Sequence, residues 1–491
     1  MFPGTYTNKM GVLSNLEPKK VFHYFEEICK IPHGSYNTKQ LSDYLVNFAK
    51  ERGLTSYQDE ANNVIIIKEG PAGYENAPAV ILQGHLDMVC QKAPDSAHDF
   101  LTDGLDLDID GDLVLAKGTT LGGDNGIAVA YCLALLDSDD IPHPKLEVLL
   151  TSDEEVGLLG AVAADLSMLE SKMLINLDSE EEGDFLTSCA GGGRANMFLP
   201  VNRVEKEGIA YEVAIDDLTG GHSGIEITKE RGNANKLMGR LLMEARKEAE
   251  FYLAEMEGGQ ADNAIPRSCK AVVLVDEADQ VAFENAVAAM GAIFKNEQKA
   301  ADPDLNVTFT NLGYKELETI DRSSLTQVLM VLNMLPNGIQ AWSVELENLV
   351  ETSLNLGVMK LDRDEIRFSS SVRSSVGSKK AHLFSQLKML IEYAGGTLKI
   401  HGEYPAWEYK AESHIRNVFV DTYREITGKE PEIKAIHAGL ECGIFCDKIE
   451  GIDCISLGPN MSGVHTTEER LSISSTERTW KLLVEVLKRL K

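Results

Sequence analysis

Two adjacent carboxylates, Glu154 and Glu155, follow the apolar run LEVLL at 146–150, which predicts a buried strand. Like charges this close repel each other, and burial raises the cost of charging them unless a cation or a proton neutralises the pair. We therefore expect a positive charge beside Glu154 and Glu155. The rest of the chain contains residues that would hold one.

The other candidate ligands also stand close to apolar runs. His85 and Asp87 follow AVILQG, Asp178 follows MLINL, His465 comes after DCISLGP, and Asp124 stands at the predicted start of a helix in TTLGGDNG. In open α/β sheets, ligands bind at the carboxyl ends of the strands. Imidazole and carboxylate groups are the usual ligands of zinc and manganese.

This set of residues suits a hydrolytic site with two metal ions. Two metals a few ångströms apart polarise a carbonyl and lower the pKa of a bound water, and a carboxylate that binds neither metal accepts the proton. Each motif alone has a structural explanation: a hydrogen-bonded His–Asp pair, a helix N-cap after two glycines, or a solvated acidic face. Their shared position at strand ends favours the metal site.

The elements that position these residues follow two patterns. In residues 1–188 and 399–491, apolar strands alternate with amphipathic helices, which predicts an α/β domain with a mostly parallel sheet and helices on both faces. In residues 189–398, polar and apolar residues alternate as in half-buried antiparallel strands, with helices between them. We therefore predict a split catalytic domain interrupted by a large α+β insert, whose two helix-rich sections suggest two similar halves.

Bulk properties limit the classes of partner. The chain has 491 residues, which is too many for one core, and its 47 basic and 77 acidic residues give a net charge of −30. This charge argues against nucleic acid and membrane as partners. No apolar run approaches the roughly 20 residues of a membrane span, and the N-terminus has no secretory signal. Eight scattered cysteines without a CxxC pair suggest reduced thiols in the cytoplasm.

The ordered motifs GHLDMV, GGDNG, SDEEVG, INLDSE, GGHSG and GVHTTEER resemble those of the M20 family of dinuclear metallopeptidases, over nearly the whole chain. The segments DNAIPR and HAGLECGIF are most similar to the aminoacyl-histidine dipeptidase branch. The resemblance implies hydrolysis of unblocked dipeptides, including Xaa-His, by a metal-activated water and a Glu general base. Another M20 activity, tripeptidase or aminoacylase, and a non-catalytic peptide- or metal-binding protein remain alternatives.

The resemblance also assigns roles to the candidate ligands. It implies two divalent ions, zinc in the first place, with manganese or cobalt as alternatives. One ion would be bound by His85 and Asp178, the other by Glu155 and His465, and Asp124 would bridge them.

Two further carboxylates have roles that the resemblance implies. Glu154 would be the general base, and Asp87 would orient the imidazole of His85. The family often has a cis peptide bond after the bridging aspartate, here between Asp124 and Asn125.

The insert corresponds to what the family calls a lid. By resemblance, His222 would stabilise the oxyanion, and Asn263 and Arg373 would bind substrate, since a planar Arg fork suits a free C-terminal carboxylate. Gly439 would let the backbone come close to the substrate. The lid would have to close over the metals for reaction. The chain would be a monomer or a homodimer.

Overall fold

A computed structural model describes residues 11–491, which form two compact units. The first unit comprises residues 11–188, Tyr409–Ala435 and Leu440–Lys491, and the second comprises Cys189–Glu408 and Ile436–Gly439. The N-terminal segment 1–10, in which we expect no secretory signal, lies outside the described residues. Within residues 11–491, none of the helices combines the length and apolar character that a membrane crossing requires.

The part of the first unit that precedes the insert contains eight strands and four helices. In chain order they are α1 (Lys19–Cys29), α2 (Lys39–Glu51), β1 (Thr55–Gln58), β2 (Val64–Lys68), β3 (Val80–His85), β4 (Leu107–Asp110), β5 (Leu113–Ala116), α3 (Gly123–Leu136), β6 (Leu146–Thr151), α4 (Leu159–Ala163), β7 (Met173–Asn176) and β8 (Asp184–Cys189).

The second unit contains eleven strands and four α-helices. They are β9 (Gly191–Pro200), β10 (Arg203–Asp216), β11 (Gly221–His222), α5 (Ala234–Glu248), β12 (Phe251–Gly258), β13 (Ala264–Ile265), β14 (Cys269–Val275), α6 (Gln280–Glu297), β15 (Asn306–Ile320), α7 (Arg322–Met334), β16 (Gly338–Trp342), β17 (Val350–Leu361), β18 (Glu365–Ser374), α8 (Gly377–Tyr393) and β19 (Thr397–Tyr404).

The C-terminal part of the chain returns to the first unit. Its elements are α9 (His414–Thr427), β20 (Glu432–Ile436), α10 (Glu441–Lys448), β21 (Asp453–Ser456), β22 (Met461–Ser462), β23 (Arg470–Ser472) and α11 (Ile473–Arg489).

The main sheet of the first unit has the strand order β1-β2-β6-β3-β7-β21-β8-β20. Its four central strands, β6, β3, β7 and β21, are parallel, whereas β1 pairs with β2, β2 with β6 and β8 with β21 in antiparallel fashion. The predicted α/β class is therefore confirmed, and the parallel part of the sheet is its centre. A second sheet has the order β22-β23-β5-β4.

The central strands are apolar on both faces because both faces are covered. Every residue of β3, β6 and β7 is buried, so the side chains on each face of these strands are removed from water. Helix α3 is buried on all sides from Ile127 to Leu136, as its uniformly apolar sequence requires. Helix α4 is short, because the chain leaves the helical conformation at Ala164.

The second unit is built on a nine-stranded sheet. Eight of its strands have the order β15-β10-β14-β12-β17-β18-β9-β19, and the ninth, β16, pairs with β17. The neighbouring strands pair in antiparallel fashion, as the alternating sequence of the insert predicts. The predicted insert boundary at residue 398 falls inside β19. Because β19 pairs with β9, the second unit extends to Glu408.

Candidate active site

Three neighbouring parallel strands bring the candidate ligands to one edge of the main sheet. Strand β3 ends at His85, β6 is followed by Glu154 and Glu155, and β7 is followed by Asp178. Because β3 pairs in parallel with both β6 and β7, their carboxyl ends lie side by side. The predicted arrangement of these residues at strand ends is therefore present in the first unit.

Asp124 lies between two histidines that are far apart in sequence. Its Oδ1 is 3.0 Å from Nε2 of His85, and its Oδ2 is 3.1 Å from Nε2 of His465. Nε2 of His465 also lies 2.8 Å from Oε1 of Glu155. One carboxylate thus contacts both imidazoles through separate oxygens, which is the geometry expected of a group shared by two ions.

The other two carboxylates approach His85. Its Nε2 lies 3.5 Å from Oδ1 of Asp178 and 4.0 Å from Oε2 of Glu154. The five predicted ligands and Glu154 therefore form one continuous cluster. Glu154 and Glu155, although adjacent in the chain, lie beside different histidines.

Asp87 holds the cluster from behind. Its backbone oxygen lies 3.0 Å from Nδ1 of His85, and its carboxylate accepts hydrogen bonds from the hydroxyl of Ser35 at 2.7 Å and from the backbone N–H groups of Glu154 and Glu155 at 2.9 and 3.3 Å. Because Nδ1 of His85 is engaged by the Asp87 carbonyl, Nε2 is the ring nitrogen that faces the other carboxylates. Asp87 therefore contacts both the imidazole and the loop that carries the two glutamates.

The base of that loop is fixed by Asn63. Its side-chain oxygen accepts the N–H of Ser152 at 2.9 Å, and its side-chain nitrogen donates to the carbonyl of Gly160 at 2.9 Å. A Cβ at position 160 would lie 2.0 Å from the carbonyl oxygen of Ser152, so the close approach of the two backbones requires glycine.

The loop that carries Asp124 is held by Glu469. Its carboxylate accepts the backbone N–H groups of four consecutive residues at 2.8, 3.1, 2.9 and 3.3 Å, namely Leu121, Gly122, Gly123 and Asp124. Asn125 continues the support, since its side chain accepts the N–H of His85 and donates to the carbonyl of Leu177. The peptide bond between Asp124 and Asn125 is cis, as the resemblance implies.

The charges in the cluster shift the pKa values of its members strongly. Burial would lower the pKa of His85, but Asp178 and Asp124 outweigh burial and raise it. Hydrogen bonds with Asp124 and Glu155 raise the pKa of His465 to about 10. Burial raises the pKa of Asp178 to about 6 and raises that of Glu154 well above its usual value, to which the neighbouring carboxylates contribute. The cluster therefore has an excess of acidic groups.

These residues fit divalent metal ions. Ligand atoms of His85, Asp124 and Glu155 all lie within 4.8 Å of one another. Within residues 11–491, the ion pairs of the clustered carboxylates involve only the two histidines and no Lys or Arg. The four carboxylates of Asp124, Glu154, Glu155 and Asp178 outnumber the two imidazoles, so further cations are needed to compensate their charge. Imidazole with carboxylate is the donor set of zinc and similar metals.

The remaining predicted residues lie in the second unit. Nδ1 of His222 accepts the backbone N–H groups of Gly224 and Ile225, both at 3.1 Å, so Nε2 carries the proton of the neutral ring. Burial lowers the pKa of His222, and the guanidinium of Arg373 lowers it further, which favours this neutral form. Asn263 is exposed, and its carbonyl accepts the N–H of Ser223.

Arg373 and Gly439 share a neighbour, Tyr404. Nη1 of Arg373 donates to the Tyr404 hydroxyl at 3.1 Å, and a Cβ at Gly439 would lie 2.7 Å from the Tyr404 ring. Arg373 is 8% exposed, and its Nε has no hydrogen-bond partner among the described residues. A buried guanidinium with an unused donor is suited to binding an anion. The second unit thus brings His222, Arg373 and Gly439 together around Gly224 and Tyr404.

Sequence reasoning missed several residues of the first unit. Glu469, Glu441, Gln83 and Asn176 are buried polar residues that the motifs did not single out. The signal available for Gln83 and Asn176 is a polar residue inside an apolar strand, two positions before a candidate ligand. For Glu441 and Glu469 only the fold reveals the partners, because these lie hundreds of residues away.

The fold and the cluster define an α/β protein with a site of the kind that binds divalent metals and hydrolyses amide bonds. Comparisons with known proteins agree. A family model described as peptidase family M20/M25/M40 matches residues 81–489. The chain is 39% identical to the cytosol non-specific dipeptidase of Escherichia coli (strain K12) over 482 residues, which cover 98% of this chain and 99% of the relative.

Solved structures agree as well. The crystal structure of aminoacylhistidine dipeptidase from Vibrio alginolyticus superposes with a TM-score of 0.92 at 36% identity, covering 98% of both chains. The aminopeptidase PepT from Bacillus cereus shares the fold at 14% identity, with a TM-score of 0.56 over 97% of this chain and 99% of that one. The chain belongs to peptidase family M20/M25/M40, and it is a hydrolase that acts on peptide bonds. Membership in this family of metallopeptidases implies divalent metal ions.

Proposed function

We propose that the chain is a dinuclear metal-dependent dipeptidase that hydrolyses unblocked dipeptides, including Xaa-His dipeptides. The observation that carries the proposal is the position of Asp124, which contacts His85 and His465 through its two separate oxygens at 3.0 and 3.1 Å. Relatives named cytosol non-specific dipeptidase and aminoacylhistidine dipeptidase match nearly the whole chain and support the substrate class.

The metal residues are assigned as the cluster suggests. His85 and Asp178 would hold one ion, Glu155 and His465 the other, and Asp124 both. Zinc is the proposed metal, with manganese and cobalt as alternatives, because two imidazoles and three carboxylates suit all three. When bound, such ions polarise the peptide carbonyl and lower the pKa of a water.

Glu154 would move the proton. Its backbone N–H donates a hydrogen bond to the carboxylate of Asp87, and its Oε2 lies 4.0 Å from Nε2 of His85. Because burial raises its pKa, a carboxylate oxygen of Glu154 can take a proton from the attacking water and deliver it to the leaving amine. Asp87 would act indirectly, by orienting His85 and the Glu154–Glu155 loop.

The residues of the second unit would bind the substrate. Nε2–H of His222 would donate to the oxyanion that forms at the peptide carbonyl. Arg373 would bind the free C-terminal carboxylate through its guanidinium. Asn263 and Gly439 would contact the substrate backbone. We also propose a cytoplasmic location, which is supported by the absence of a disulfide bond among the eight cysteines, all within residues 11–491.

A substrate panel tests this function. The purified protein, loaded with zinc, is assayed with free dipeptides such as β-alanyl-histidine, with the same dipeptides as C-terminal amides, with tripeptides and with N-acyl amino acids. We expect kcat/KM to be highest for free dipeptides and at least roughly tenfold lower for the amides, since Arg373 would lose its charged partner.

Other outcomes would replace the proposal. Preferred cleavage of tripeptides or of N-acyl amino acids would assign a different activity within the family. Metal binding without hydrolysis of any panel member would assign a binding protein.

A further inference from the structure

Glu441, the first residue of α10, is a fully buried carboxylic acid directly below the metal-ligand cluster. Its Oε2 accepts hydrogen bonds from Nε2 of Gln83 at 2.5 Å and from the hydroxyl of Thr151 at 2.8 Å. Its other oxygen, Oε1, is buried and has no hydrogen-bond partner among the described residues. Burying a carboxylate with one oxygen unsatisfied is costly unless a positive charge compensates it.

The residues around Glu441 belong to the strands that carry the candidate ligands. Gln83 stands two residues before His85 on β3, and Thr151 ends β6 three residues before Glu154. The side-chain oxygen of Gln83 also accepts from Asn176, the last residue of β7, at 2.5 Å. Glu441 is thus joined to all three strands just below their carboxyl ends.

No Lys or Arg side chain compensates Glu441, since none within residues 11–491 forms an ion pair with it. The charged groups that act on it most are the imidazole of His85 and the carboxylate of Asp178. The imidazole of His85 is itself paired with Asp124 and Asp178. His85 and Asp178 are both proposed metal ligands. The uncompensated charge therefore faces the place where the cations would bind.

Two other buried glutamates of the same unit are satisfied in a different way. Glu147, on β6, accepts backbone N–H groups from Glu170 and Ser171 at 3.0 to 3.1 Å. Glu469 accepts the four N–H groups of residues 121–124. Neither leaves a buried oxygen without a partner, so the unsatisfied oxygen of Glu441 is not a general property of buried glutamates here.

We infer that Glu441 is a non-ligating carboxylate that supplies negative charge to the metal centre, raising its affinity for divalent cations while making the metal-free protein less stable. The inference rests on the proposed function, since it requires that the cluster binds metal. It follows from linkage. A charge that is uncompensated in the metal-free protein destabilises that state, and bound metal relieves this destabilisation. Metal binding therefore becomes more favourable by the free energy that the charge costs in the metal-free protein.

The test is Glu441→Gln, which keeps the shape and an oxygen acceptor but removes the charge. The free energy of unfolding of the metal-free protein is measured with urea at pH 8.5, because burial raises the pKa of Glu441 to about 8 and the charge is then largely present. Zinc affinity is measured by competition with a chromophoric chelator. We expect the metal-free variant to unfold at higher urea than the metal-free native protein, and its zinc affinity to fall by roughly tenfold or more.

Glu441→Met is the second variant. It also removes the charge, and Gln83 and Thr151 keep the carbonyl of Gly84 as an acceptor, at 3.1 and 3.3 Å. It should show the same two changes. Glu147→Gln is the matched control: it should unfold at lower urea than the native protein, because an amide nitrogen cannot accept the N–H groups, and its zinc affinity should be unchanged.

The outcomes are distinct. Lower metal-free stability in both Glu441 variants would overturn the inference, because it would mean that the hydrogen bonds of Glu441 stabilise the fold and its charge costs nothing. Unchanged zinc affinity in both variants would overturn it as well. Failure of the native protein to bind zinc would instead contradict the proposed function.

Discussion

Glu154 and Glu155 are adjacent residues with different surroundings. Oε1 of Glu155 lies 2.8 Å from Nε2 of His465, whereas Oε2 of Glu154 lies 4.0 Å from Nε2 of His85. The geometry agrees with a division in which one glutamate binds metal and its neighbour transfers a proton. The two roles can be separated by substitution.

We expect the Glu154→Gln variant to retain its metal. Its kcat should fall by roughly 10²- to 10⁴-fold, because an amide cannot accept the proton of the attacking water. The measurement combines kcat for a free dipeptide with metal content by elemental analysis. The control is Glu155→Gln, which should lose metal as well as activity. A Glu154→Gln protein that turns over at the native rate would remove Glu154 from the proton transfer.

At the scale of elements, four of the six clustered residues lie on loops, namely Glu154, Glu155, Asp178 and His465. Distant polar residues fix the loop of Glu154 and Glu155 and the segment that carries Asp124. Glu469, on the loop before β23, accepts four backbone N–H groups of the loop that carries Asp124, and it lies more than 340 positions away in sequence. This contact should determine how firmly Asp124 is held between the two histidines.

Glu469→Gln should therefore lower the free energy of unfolding of the metal-free protein by about 2–3 kcal/mol, because its amide nitrogen cannot accept a hydrogen bond and would face buried N–H groups. Urea unfolding measures this change. The exposed neighbour Glu468 provides the control, since Glu468→Gln should leave the urea midpoint where it is. Equal midpoints for both variants would mean that the loop does not depend on Glu469.

Some features of these elements could be predicted from the sequence, whereas the contacts between distant elements could not. The ends of β3, β6 and β7 were predictable, because an apolar run followed by polar residues marks both the strand and the side chains at its end. The contacts of Gln83 with Glu441 and of Glu469 with residues 121–124 were not, since no local pattern links residues so far apart. The predicted boundary of the insert at residue 398 falls within β19, because the pairing of β19 with β9 is a tertiary contact that the local sequence does not show.

At the scale of the whole molecule, the buried acids and His465 determine how the free energy of unfolding of the metal-free protein depends on pH. Burial raises the pKa of Asp178 to about 6 and that of Glu441 to about 8, so folded protein binds more protons than unfolded protein between roughly pH 4 and those values. The pKa of His465 is raised to about 10 by Asp124 and Glu155, so its contribution is complete below roughly pH 6.5 and is lost as the pH rises through 10. All three groups reduce stability as the pH rises.

The metal-free protein should consequently have a higher urea midpoint at pH 5.5 than at pH 8.5, and zinc should reduce this difference, because bound cations compensate the carboxylates and take the place of protons. Urea unfolding at both pH values, with and without zinc, measures the effect. A metal-free protein that is more stable at pH 8.5 would mean that the clustered acids are compensated without metal.

The central claim is that this cluster of two histidines and its carboxylates works with two divalent metals on free dipeptides. The most direct measurement removes all metal with a chelator, exchanges the chelator away, and follows the hydrolysis of β-alanyl-histidine while zinc is added back. We predict no hydrolysis without metal and a rise in activity that saturates at about two equivalents per chain. Full activity in the metal-free protein, or none at any zinc concentration with any free dipeptide, would contradict the account.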